Sequence, residues 1–431
     1  MSNRLRRWGR LAVVDVTPLR QVPAYRWLFA GMFFAQAGRQ LMVVAVPWQV
    51  FELTGSTLAV GFLGLAQLIP LLMVSLIGGA LADAVNRRRL LLLSQLTMAL
   101  TAGGLLWNSL VDAPAIWPLF VLSAINAGVS AIDSPARHAI VPALVGRALL
   151  PSAMALNQTL GNIASAAVPA VAGLLIATVG LPFNYGIEVL VFLAGAALIY
   201  KVPDVPTEGG GRKFGLSSIM EGLRYLKGRK VIQSILLIDF NAMVFGMPTA
   251  LFPAIGTEVF GGDAFTVGLL YAAPGVGALA AALTSGWVGG VRRQGRAIVI
   301  AVIGWGLAIA IFGLTTSLAL ALIMLSIAGA GDVVSAIFRG TIIQLSAPDA
   351  LRGRLSSMHM AVVASGPRLG DLEAGVVAAV TSIRFSVVSG GLACVLGAIA
   401  IARWAPEFAN YLYEPEGKYP ESPERTGELS P

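Results

Sequence analysis

Charge is what the sequence has least of. Of 431 residues only 12% are Asp, Glu, Lys or Arg, against about 25% in a soluble domain. One cysteine, Cys394, permits no intrachain disulfide, and two histidines, His138 and His359, stand too far apart in sequence to suggest a metal site. No Gly-x-x-x-x-Gly-Lys-Ser/Thr loop occurs, which excludes ATP as the direct energy source, and no nucleophile–base motif stands out, so an enzyme is not expected. Gly275-Val276-Gly277-Ala278-Leu279-Ala280 resembles a dinucleotide fingerprint, but it lies inside an apolar run with no strand before it. Small residues for helix packing are the better reading there.

What is present is apolar. Hydrophobic residues make up 56% of the chain, mean hydropathy is +0.78, and there are 49 glycines. This is the composition of a polytopic all-α membrane protein, with glycine allowing helices to approach closely in lipid. Twelve spans can be read: 28–50, 60–82, 90–110, 116–135, 157–179, 182–200, 231–255, 267–289, 297–316, 318–340, 357–380 and 386–403. Each has about 20 residues, enough to cross ~30 Å of hydrocarbon.

The basic residues are sorted by side. Of 30, 26 fall at the termini or in the connections that follow even-numbered spans, and only Arg384 falls on the other side. Arg39, Arg339 and Arg368 lie inside spans. The positive-inside tendency therefore sets both termini in the cytoplasm. The arginine-rich start (Arg4, Arg6, Arg7, Arg10) lacks the apolar region and cleavage site of a signal peptide and is expected to lie against anionic lipid. The net charge of +8, spread over short turns, makes no continuous stripe for a duplex. The expected partners are the lipid bilayer and a small molecule, not nucleic acid, with the chain acting as a monomer.

One turn organises the rest. Gly79-Ala80-Leu81-Ala82-Asp83-Ala84-Val85-Asn86-Arg87-Arg88-Arg89 joins two apolar runs so tightly that they must form an antiparallel hairpin. It resembles the signature between helices 2 and 3 of the major facilitator superfamily. Ala45-Val46-Pro47-Trp48-Gln49-Val50, Pro142-Ala143-Leu144-Val145-Gly146-Arg147, Leu251-Phe252-Pro253-Ala254 and Val267-Gly268-Leu269-Leu270-Tyr271-Ala272-Ala273 are similar to the branch of that family holding siderophore and multidrug exporters. The resemblance covers spans 1 to 11. It implies the major facilitator fold, a bacterial plasma-membrane location, alternating access, and export driven by an ion gradient, in the first instance protons. Pro169-Ala170-Val171-Ala172-Gly173 is a form of the antiporter Gly-Pro motif without its first glycine.

The chain then divides into an arm (1–25), a six-helix half (26–200), a connector (201–230), a second six-helix half (231–403) and a tail (404–431). A faint repeat links the halves, because Val129-Ser130-Ala131-Ile132 recurs as Val334-Ser335-Ala336-Ile337.

Ionisable groups inside spans cost ~2.5–3.5 kcal/mol each on insertion scales, so they face the interior and pair. Asp239, Asp332 and Glu373 are the proton-coupling candidates, the alternative being that the aspartates lock helices together. Arg39, at the middle of span 1, could meet an anionic group of the cargo or hold an acid on a facing helix. Arg368 and Asp371, three apart, share a helix face and suit a local ion pair, with Arg368 also a cavity candidate. Glu188 reads as a wetted boundary residue. Trp48, Phe240 and Met243 could line a greasy cavity or face lipid. Asp133, Arg137 and Arg339, close to turns, join Gly79, Asp83 and Arg87–Arg89 as a cytoplasmic gate. The expected activity is export of a siderophore or a lipophilic drug. Import of a small organic anion, lysophospholipid flipping, and a non-transporting receptor are the alternatives.

Overall fold

The computed structural model describes residues 15–204, 226, 228–346 and 349–413, with the side chains of 76–84, 349–354 and 357 outside the description. The described residues are almost wholly helical, without a strand. The first half holds α1 (Pro23–Thr54), α2 (Thr57–Ala84), α3 (Arg87–Leu110), α4 (Trp117–Thr178) and α5 (Leu181–Tyr200). The second holds α6 (Lys230–Phe245), α7 (Ala264–Leu283), α8 (Gln294–Leu314), α9 (Leu318–Ser346), α10 (Asp349–Val380) and α11 (Ile383–Trp404).

Local chemistry fixes several helix starts. Pro23 opens α1 at a position where its missing N–H is no loss, and α1 ends on Gly55 with φ +58°. The Asn86 side chain accepts hydrogen bonds from the backbone N–H groups of Arg88 and Arg89 and so starts α3. Asp263 does the same for α7, and Ser382 for α11.

Ten described helices are long and apolar enough to cross a membrane. Twelve crossings result because α4 counts twice and α10 adds one despite its charges. The 62 residues of α4 would run ~93 Å if straight, three times the hydrocarbon thickness. At Gly146 φ is +70° and ψ is 172°, and there the helix divides into two spans. Lipid-facing positions are apolar, as at Leu100, Ile300, Leu396 and Val380. Exposed aromatics mark both rims: Trp107 and Trp117 at one, Trp27, Tyr200 and Trp404 at the other.

Three elements differ from the sequence reading in their boundaries. Span 7 breaks at Gly246 into a 3-10 turn (Thr249–Leu251), a short helix (Phe252–Ala254) and a π turn (Ile255–Val259). Pro248 and Pro253 withhold N–H donors, the Ala250 N–H turns to Asp371 at 2.9 Å, and the Gly246 carbonyl it leaves accepts from the buried Trp305 indole at 2.6 Å. Helices α4 and α9 also continue past residues 135 and 340, where hydropathy alone ended them. Asp133, Arg137 and Arg339 therefore sit within helices instead of near turns.

Within the first half α5 packs on α1 and α3, and α4 on α1, α2 and α3; within the second α8 packs on α9 and α11, and α6 on α10 and α11. The halves meet mainly through α4 with α7 and α2 with α10. These seams are tightest away from the Arg87–Arg89 turn. A Cβ on Gly61 would approach the Asp371 carbonyl to 2.9 Å, and one on Gly268 the Pro169 carbonyl to 2.5 Å. Gly275 likewise lies where α7 presses on Ser165 of α4, and Gly277 where α7 presses on Ser326 of α9 within the second half. The beginning of the tail is docked, with Ala405 and Phe408 buried and the Tyr413 N–H donating to the Arg292 carbonyl at 2.7 Å.

Candidate functional site

A cavity of about 640 Å³ lies between the halves. Its two walls differ. Helix α4 contributes two polar stripes at helical spacing, Ser123, Asn126 and Ser130 from its first span and Gln158, Asn162 and Ser165 from its second. The facing wall is mainly apolar, with Met247, Phe252, Tyr271, Pro274, Val333 and Ala336. The broken backbone after Gly246 forms part of that wall, which is where irregular structure is tolerated at membrane depth.

Each half holds a charge cluster. In the first, the Asp133 carboxylate, 1% exposed, lies 3.4 Å from the Arg39 guanidinium of α1 and also pairs with Arg137 one turn on. Arg39 donates to Gln36 at 2.6 Å and keeps 22% of its side chain exposed, on the cavity wall. Two arginines against one acid leave one positive charge in excess.

In the second, the fully buried Arg339 of α9 lies 2.9 Å from Asp239 of α6 and 3.3 Å from Asp332. It also donates to the Ser335 hydroxyl at 3.0 Å. His359 of α10 approaches the other Asp239 oxygen at 3.0 Å. Asp332 opens on the cavity, whereas Asp239 does not. Two acids against one arginine leave one negative charge in excess until a proton or a charged His359 balances it. Sequence reasoning passed over His359 as a coupling residue; its only signal was a lone histidine on a membrane helix.

The other candidates are dispersed. Arg368 lines the cavity and lies 3.8 Å from Asp371, which also accepts from the Thr249 hydroxyl at 2.5 Å and the Ala250 N–H at 2.9 Å. Trp48 and Met243 pack in the core, Phe240 is exposed, and none of the three lines the cavity. Glu373 is half-buried and outside the cavity wall. Arg87 donates to the Ala139 carbonyl at 3.1 Å, and Arg88 to Asp204 at 3.1 Å and the Tyr200 carbonyl at 2.5 Å, while Arg89 is exposed. None of these pairs, nor those of Asp133, Arg137 and Arg339, joins one half to the other. The side chains at Gly79 and Asp83 lie outside the described residues. Glu188, expected at a wetted boundary, is fully buried.

Comparison with known proteins places this geometry. A family profile described as "Transmembrane secretion effector" matches residues 14–425. The enterobactin exporter EntS of Citrobacter koseri is 30% identical over 383 residues, covering 88% of this chain and 91% of the relative. The enterobactin exporter EntS of Shigella boydii serotype 18 is 29% identical, covering 90% and 94%. Among solved structures, a D-xylose-proton symporter aligns over 90% of this chain and 99% of its own with a TM-score of 0.70 at 16% identity, a likeness of fold.

Proposed function

The chain belongs to the transmembrane secretion effector family of major facilitator transporters, and from that premise we propose that it is a bacterial inner-membrane exporter of a siderophore or a similar amphipathic small molecule, driven by proton antiport. Family and fold are those of transporters, not enzymes. In this reading the basic turns and both termini face the cytoplasm. The seams at Gly61 and Gly268 then close the periplasmic side, and cargo enters from within.

The observation that carries the reading is the opposite charge surplus on the two walls of one shared cavity. The excess positive charge at Arg39 and the polar stripes of α4 suit an anionic, hydrogen-bonding face of the cargo. The apolar wall of the second half suits its ring or chain carbons. The excess negative charge at Asp239 and Asp332 is where a proton is taken up, the Arg339 link loosening as either acid is neutralised. Ion pairs between halves would form only when the cytoplasmic side shuts, through Asp83 and the neighbouring arginines.

Inside-out vesicles with an imposed pH gradient test this. Gradient-driven accumulation of a catecholate siderophore signals export. Gradient-driven loss signals import and overturns the direction; transport indifferent to the gradient overturns the coupling.

A further inference from the structure

One buried acid has no part in the account so far. Glu188 is fully buried in α5, and among the described residues neither of its carboxylate oxygens has a hydrogen-bond partner. Asn184, one turn earlier on the same face, is equally buried and also without partners at either polar atom. Tyr185 does not serve the acid, since its hydroxyl donates to Gln49 of α1 at 2.8 Å. An ionised carboxylate in such a place would lose its hydration with nothing in exchange, a penalty of several kcal/mol. The neutral acid avoids most of it.

The helices packed on α5 are α1, α3 and α4. Helix α3 carries charge only at Arg87–Arg89, beyond the far end of the bilayer, and the charged groups and histidine of α4 (Asp133, Arg137, His138, Arg147) lie toward that same end. On α1, Arg26 is exposed at the end nearest the basic turns, Arg39 lies midway along the helix, and Glu52 lies three residues beyond Gln49, exposed at the opposite rim. Tyr185, three residues before Glu188, and Gln49, three before Glu52, tie α5 to α1 near that rim. Among the described residues no arginine or lysine is placed to hold Glu188 as an anion.

We propose that Glu188 is a proton-binding site of the first half, loaded from the side on which Glu52 is exposed. It rests on the export reading for its role, since one proton bound to the Glu188 carboxylate on that side and released on the other adds one to the protons moved per cargo. It is separate from the Arg339 cluster, which lies in the opposite half.

Infrared difference spectroscopy on the purified full chain tests the binding, and the pH gradient at which cargo flux reverses in proteoliposomes tests the role. At neutral pH the wild type should show the C=O stretch of a protonated carboxylic acid that Glu188→Gln removes and Glu188→Asp keeps at a shifted frequency. Glu188→Gln should move one proton fewer per cargo, and Glu188→Asp the wild-type number. A band unchanged in Glu188→Gln, or a reversal gradient unchanged by that variant, overturns the proposal. A band that falls when sodium replaces choline at fixed pH overturns it in favour of a sodium site. If the wild type moves no cargo, the export reading fails while the infrared result still decides whether Glu188 holds a proton.

Discussion

In the first half an arginine on α1 meets an acid on α4; in the second an acid on α6 meets an arginine on α9. The link joins corresponding helices of the two halves, but the signs are exchanged and so is the surplus: an extra arginine in the first, an extra aspartate beside a histidine in the second. In the export reading proposed above, the two copies of one helical frame do different work. The side with positive excess suits an anion, and the side with negative excess suits a proton.

The largest effect expected from breaking this comparison is on stability. Asp133→Asn strands two arginines, whereas Asp239→Asn leaves Arg339 with Asp332. Removing one member of a buried pair destabilises by about 3–5 kcal/mol, so thermal unfolding in detergent should show the full loss for Asp133→Asn and clearly less for Asp239→Asn. Equal losses would mean that the surplus does not matter. Next in size, Arg39→Gln should weaken cargo binding by about tenfold, or 1.4 kcal/mol, without altering the protons moved per cargo. A variant that binds normally would place the cargo's anionic group elsewhere. Smaller again, His359→Gln, which takes from Asp239 its partner on α10, should change the pH profile of cargo exchange by a few-fold in rate. An unchanged profile would reduce His359 to packing.

The smallest effect lies at the arm. Asp15 is held below its ordinary 3.8 by hydrogen bonds from Ser152 and Thr17. Because the folded value is depressed, this tie is in force at neutral pH and is lost only as pH falls through that lowered value. Asp15→Asn should leave transport unchanged while speeding amide exchange over Thr17–Gln21.

Much of the frame was readable because lipid demands continuous apolar runs and basic turns, as at Arg87–Arg89 and the twelve spans. Hydropathy misjudged α4 and α9 for a physical reason. It stops at a charge, but Asp133 with Arg137, and Arg339 with Asp239, satisfy each other and let the helix run on. Asp133 and Arg137 pair one turn apart, but Arg339 and Asp239 lie 100 residues apart, a pairing that composition does not carry. Likewise Arg39 was legible as a buried charge, but its partner Asp133, 94 residues away, was not. Phe240 and Met243 sit within one turn of Asp239, yet one faces outward and the other the core, because the break at Gly246 hands the cavity wall to the segment that follows.

The most direct test of the division between halves is the pH gradient at which net cargo flux reverses in proteoliposomes, compared between wild type, Asp332→Asn and Arg39→Gln. Asp332→Asn mimics the proton-loaded cluster and should transport with one proton fewer per cargo, while Arg39→Gln keeps the wild-type number at lower affinity. If Asp332→Asn reverses at the wild-type gradient, the second half does not carry the proton and the account is wrong.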